Sequence, residues 1–230
     1  MTAGAGAVPL RIYLEEGKRW VFACALDWTG WCRRGRSAEL AMETLAAYAP
    51  RYAVAVRRAG LPAGPGAPEE FTVTERLTSR YGADFGAPME IPASDYAPVD
   101  EATAGLMTAL VRASWEVFDQ VAAGAPEELR KGPRGGGRDR DKMAAHVHGA
   151  DHAYARKLGV RHRQPAAGDA AAVAALRAGI CEVLARPGDG QPQVAGGWPP
   201  RYAARRIAWH ALDHAWEIED RSQDLPDPAG

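Results

Sequence analysis

The sequence has only three cysteines, Cys24, Cys32 and Cys181, spread over 230 residues. That is too few and too scattered for a disulfide framework, and it points to a reducing compartment, the cytoplasm. No apolar run approaches the roughly twenty residues needed to span a bilayer, so a membrane partner is not expected. The opening residues, MTAGAGAVPLRIY, lack the basic start and apolar core of a signal peptide. A surplus of either charge is missing as well: 28 Lys and Arg against 29 Asp and Glu leave a formal charge of -1. Such a balance supplies no global attraction to nucleic acid or to an anionic surface, and nucleic acid is not favoured as a partner. What is present is the composition of an ordinary globular protein, 47% hydrophobic and 25% charged. The length suits one or two domains with a real core. Ala, Gly, Arg and Pro are abundant in the manner of a GC-rich coding bias, so alanine-rich helices carry less meaning than usual.

The first part of the chain mixes strand and helix signals. Residues 8–15 alternate loosely, residues 19–26 are rich in large apolar side chains, and Glu16-Gly17-Lys18 lies between, which predicts a β-hairpin. Residues 27–36, DWTGWCRRGR, read as a turn-rich connection. Ser37 is an expected N-cap for an amphipathic helix over 38–48, and 52–59 continue as a second helical piece. Residues 61–68, LPAGPGAP, can only be a loop, whereas 71–77, FTVTERL, have strand composition. Residues 81–98 carry three prolines with two glycines and read as a domain linker. The pattern then turns helical, with segments over 99–122, 141–158 and 170–185, the last capped by Asp169. A fourth helix follows Pro199-Pro200, so a four-helix bundle is expected.

That last helix, RYAARRIAWHALDHAWEIEDR over 201–221, holds the main chemical signal. His210 and His214 are four apart and stack on one face, with Arg206, Glu217 and Arg221 within roughly 40° of His210. Two histidines at this spacing can chelate one metal, although a solvated pair on a surface helix has the same pattern. The helix over 141–158 offers three more histidines. His148 and His152 are also four apart, but they share a face with Asp141 and Arg156 that reads as solvated. His146 lies at the edge of the side formed by Met143, Val147, Ala150, Tyr154 and Leu158, and it is the expected third ligand, with His148 or His152 as alternatives. The glycine-rich loop RKGPRGGGRDR lacks GxxxxGK[ST] and no strand precedes it, which excludes a P-loop; it reads as an interhelical loop rather than an anion nest.

Two resemblances follow from these stretches. FACALDWTGWCRRGRSAELAMETLAAY is similar to the strand, tight turn and helix core of HicB-like domains, with Thr29 where that pattern usually has proline. HicB-like domains occur as antitoxins and as modules without that role; this chain has neither a visible toxin partner nor a DNA-binding tail. AAHVHGADHAYARKLG and RRIAWHALDHAWEIEDR resemble the two metal-bearing helices of the DinB-like superfamily. The resemblance implies a four-helix bundle holding a divalent metal with three histidines, here His146, His210 and His214. The fold class expected is therefore α+β, a small HicB-like α/β domain over 1–95 followed by a DinB-like bundle over 96–230.

Several members of that superfamily are metal-dependent thiol transferases or isomerases using a low-molecular-weight thiol. The implied function is thus a metal-dependent transferase, isomerase or hydrolase acting on a small-molecule substrate. Zinc leads among the metals, with Ni, Fe or Mn as alternatives, and a homodimer is open. A bound divalent ion lowers the pKa of water or a thiol, so a nucleophile becomes available at neutral pH. Glu217 is a candidate general base or an orienting partner for a ligand, and Arg206 and Arg221 are candidates to hold an anionic substrate group. The competing expectation is a non-catalytic binding or regulatory module, with a vestigial or structural metal site and a HicB-like domain that docks a partner.

Overall fold

The computed structural model describes residues 10–62, 71–131 and 137–222. The expected loop at 61–68 and the glycine-rich loop at 129–140 therefore lie partly outside the described residues. The fold is mixed α+β. Strand β1 (Leu10–Glu16) pairs antiparallel with β2 (Val21–Ala25), and β2 pairs antiparallel with β3 (Cys32–Gly35). Strand β4 (Phe71–Thr78) joins the other side of β1 in parallel, for a sheet order β3-β2-β1-β4. The connection over 27–36 thus hides a strand. Cys32–Gly35 is short and two of its four residues are arginine, so it has no apolar alternation to read.

The helical signals translate closely into helices. Helix α1 (Ala38–Ala47) starts at Ser37, whose hydroxyl accepts from Leu40 N, and α2 (Ala49–Arg58) follows with proline in its first turn. The long helices are α4 (Glu101–Gly124), α5 (Arg140–Lys157), α6 (Ala170–Leu184) and α7 (Pro200–Ser222), preceded by the four-residue α3 (Gly82–Phe85). Asp100 and Asp169 cap α4 and α6 through Thr103 N and Ala172 N. Helix α7 packs along α4 and α5, and α6 packs against α4 and α5, so the four long helices close a ring.

Period-two alternation gives the sheet two apolar faces. Ile12, Leu14, Ala23 and Ala25 join Leu45, Tyr52 and Val56 in one buried cluster, which continues into the bundle through Leu110, Met143, Ile207 and Trp216. Tyr13, Phe22, Cys24 and Cys32 form a second, smaller cluster with Ala83 and Trp209 of α7. The position expected to divide the chain, between 95 and 96, lies at the end of a 3₁₀ turn (Ala93–Tyr96), and buried apolar packing runs across it.

Residues 81–98, read as a linker, are fastened onto α7. Asp95 and Arg205 form a buried ion pair, the Tyr202 hydroxyl donates to Met89 O at 3.1 Å, and Arg201 Nη2 donates to Pro98 O at 2.7 Å. Prolines deny this segment regular ladders, yet side chains of α7 supply partners for its carbonyls. Further along, Arg33 of β3 bonds Asp213 at 2.7 Å, and Arg51 of α2 bonds Asp220 at 2.9 Å. Among the described residues, no helix is long and apolar enough to cross a membrane.

Candidate metal centre

Helix α7 can run unbroken because residues 201–222 contain neither Gly nor Pro. Its flanking side chains Ile207, Trp209, Ala211, Leu212 and Trp216 are all buried, and this fixes the rotation of the helix. His210 is carried inward, 7% exposed, and His214 follows one turn later, half-buried. Helix α5 is rotated in the same manner by Met143, Val147 and Ala155, each fully buried, and this brings the half-buried His146 opposite α7.

One nitrogen from each of His146, His210 and His214 lies within 4.8 Å of the others. His146 Nε2 and His210 Nε2 are 3.2 Å apart, and the ring centroids lie 4.6 to 5.0 Å from one another. Zn–N bonds of about 2.05 Å in a tetrahedral site imply nitrogens about 3.3 Å apart, so the closest pair already has that spacing. The group could hold a metal ion.

The protonation states suit ligation, which requires neutral imidazoles. Burial, assisted by the charges of Arg138 and His214, lowers His146 to about 4. Burial lowers His210 well below the ordinary histidine range, with His214, Arg206, His146 and Arg138 acting in the same direction. His214 Nδ1 contacts Glu217 Oε2 at 3.0 Å, and the other carboxylate oxygen accepts from Arg221 Nη1 at 3.0 Å. Burial works to raise the Glu217 pKa, but the bonds from His214 and Arg221 outweigh it and hold the carboxylate low. An ionised Glu217 places the His214 proton on Nδ1 and turns the Nε2 lone pair away from it, the arrangement by which a carboxylate orients a ligating histidine. His210 Nδ1 is buried without a hydrogen-bond partner among the described residues.

The other histidines on α5 stay out of this group. His148 sits beside Asp119 and Arg177 in a separate small cavity, and His152 Nε2 bonds His162 O at 2.9 Å. The two arginines named from sequence are committed to the protein. Arg206 donates to Pro88 O at 3.0 Å and lies over the Trp209 ring, while Arg221 also donates through Nε to Arg130 O at 2.7 Å. Two neighbours were not singled out by sequence reasoning as parts of the site. Tyr154, two turns after His146, stacks edge-on to His210 at 5.8 Å, and Arg138 brings an exposed positive charge near both His146 and His210. Tyr154 shares the apolar side of α5 with Met143 and Val147, and this was the signal available; Arg138 lies in a loop whose path no periodicity reveals.

No family model matches the chain, and no curated protein or solved structure matches it either. The chemistry of the centre therefore rests on its own residues.

Proposed function

We propose that the chain is a metal-dependent enzyme of DinB-like type, with His146, His210 and His214 as ligands of one divalent ion, zinc foremost. The observation that carries this reading is the convergence of three imidazole nitrogens within 4.8 Å from two helices, in a setting that keeps His146 and His210 neutral. When bound, the ion would supply Lewis acidity that makes water or a small thiol nucleophilic near neutral pH. Three neutral ligands with no thiolate are characteristic of centres that leave a position open.

Within this reading, Glu217 acts through His214 as a positioning residue, because His214 and Arg221 occupy both of its oxygens. His214 and Arg221 together hold Glu217 ionised, and Arg206 braces the segment around Pro88 against α7. A residue with charge to spare for an anionic substrate group is Arg138, which is exposed, acts on both His146 and His210, and makes no ion pair among the described residues. Transferase, isomerase and hydrolase chemistry are all compatible with that set, as is a low-molecular-weight thiol cofactor. The HicB-like reading of the N-terminal residues belongs to the same proposal and adds no chemistry to the site.

A second reading is a non-catalytic module with a structural or vestigial metal. Its support is that Arg206, Arg221 and Glu217 all have protein partners already, which leaves no carboxylate free as a general base among the residues named for that role. Cobalt substitution separates the two. Titrating the Co²⁺ protein with small thiols should produce a thiolate charge-transfer band, or water-proton relaxation should reveal exchangeable solvent at the ion. A centre with neither response is closed, and the binding module then stands.

A further inference from the structure

The segment 152–168, HAYARKLGVRHRQPAAG, contains six basic or histidine side chains and no Asp or Glu, in a chain whose overall charge is -1. The structure folds this segment back on itself. Gly159, at φ +79°, ends α5, with Gly159 N donating to Arg156 O at 3.2 Å and Val160 N to Ala155 O at 2.9 Å. The reversal sets Arg156 and His152 of α5 beside Arg161 and His162 of the following irregular stretch, around a cleft of about 560 Å³. The third wall is residues 194–195, held in place by Lys157 Nζ to Gly196 O at 2.9 Å and Trp198 N to Lys157 O at 3.0 Å.

The cleft is open, with Arg156 and Arg161 exposed along it, and the lining has one sign of charge. No acidic residue lines the cleft, and neither Arg156 nor Arg161 is ion-paired among the described residues. His152 Nε2 and His162 Nδ1 each contact a backbone oxygen, at 2.9 and 2.8 Å, so both rings are held at fixed angles. The C-terminal dipole of α5 opposes an anion here. That opposition is blunted, because Ala155, Arg156 and Lys157 carbonyls already accept bonds from Val160, Gly159 and Trp198. Two guanidinium groups bring up to ten N–H donors and no acceptor, a set that matches a doubly charged, many-oxygened group better than a single carboxylate. The cleft has room for more than the charged group, and Val194 and Ala195 offer an apolar wall for an organic body.

We propose that this cleft is a second ligand site, for a small phosphate-bearing molecule, separate from the histidine centre. His152 lies six residues past His146, about 9 Å along the axis of α5, so the two sites are neighbours on one helix without sharing a residue. The proposal does not depend on the metal reading.

The test is calorimetric titration of the metal-free full chain with inorganic phosphate and inorganic pyrophosphate at low ionic strength. Saturable binding of one anion per chain is expected, with Arg156→Gln and Arg161→Gln each weakening it about tenfold or more. His210→Ala should leave it unchanged, which keeps this outcome distinct from anion binding at the histidine centre. Amide shifts in the wild-type chain should be confined to residues around 152–163 and 194–195, a readout that needs no variant to fold. Absence of saturation up to millimolar anion would overturn the proposal, as would equal binding by the Arg156→Gln/Arg161→Gln double variant. Much tighter, steeply salt-dependent binding of a long polyanion such as heparin would overturn it too, in favour of a polymer-binding surface.

Discussion

His210 Nε2 lies 3.2 Å from His146 Nε2, although the two residues are 64 positions apart in sequence. Two neutral imidazoles facing each other in this way share at most one proton, while a cation between them satisfies both lone pairs. His214, one turn from His210, completes the triangle with its Nδ1 already engaged by Glu217.

Metal analysis of protein purified without a histidine tag should therefore find about one divalent ion per chain. His210→Ala and His214→Ala should each empty the site, since each removes a ligand. His148→Ala and His152→Ala should leave it nearly full, because neither residue belongs to the group. An empty site in His148→Ala protein of normal fold would show that another ligand set is in use.

Glu217→Gln tests orientation against base catalysis. Loss of the ionised partner should weaken metal affinity about 10- to 100-fold, the usual cost of removing an outer carboxylate from a ligating histidine. Competition with a chromophoric chelator reads this directly. Unchanged affinity together with lost activity would instead make Glu217 a catalytic group.

The metal-free protein should lose stability on mild acidification. His146 is held at about 4 and His210 well below the ordinary range, while both titrate near about 6.5 when unfolded. Between those values the unfolded chain binds the extra protons, so this contribution is complete above about 6.5 and is lost as pH falls toward 4. Asp151 has the opposite sign: burial raises it to about 6, so the folded state holds its proton and its contribution is lost as pH rises through 6. Thermal melts across pH 4.5–7.5 should show a falling Tm on the acid side, with a shallower fall in His210→Gln. Proton NMR of metal-free protein should place the His146 midpoint near 4.

Asp95→Ala should destabilise the fold by about 3–5 kcal/mol, because Arg205 would be left as a buried, uncompensated charge. Burial raises the Asp95 pKa even though Arg205 opposes the shift. Asp95→Asn should cost less, since it keeps an acceptor for Arg205. Urea denaturation measures both, and equal stability of wild type and Asp95→Ala would mean that residues 81–98 do not hold α7.

Much of the helical part was legible because its signals are local. Ser37 and Asp169 cap helices where a short polar side chain precedes an apolar period, and Gly159 ends α5 where only a left-handed residue fits. The spacing of His210 and His214 is a property of any helix and needed no tertiary knowledge. Periodicity also places His146 at the edge of the α5 side that Met143 and Val147 mark as buried, while leaving His148 and His152 as alternatives. Strand β3 was missed because four residues with two arginines carry no alternation, and its existence depends on the partner β2.

A repeat of 3.6 residues suffices to read the four long helices, the inward faces of α5 and α7, and the stacking of His210 and His214 on one face, because each is a local property of the chain. Helix docking brings His146 to His210, commits Glu217 to His214 and Arg221, and locks Asp95 onto Arg205. Those are contacts between elements far apart in the chain, set by how helices dock rather than by any local spacing. The same holds for the basic cleft: the charges of Arg156 and Arg161 are visible in the sequence, but their convergence depends on the chain reversing at Gly159 and packing beside residues 194–195.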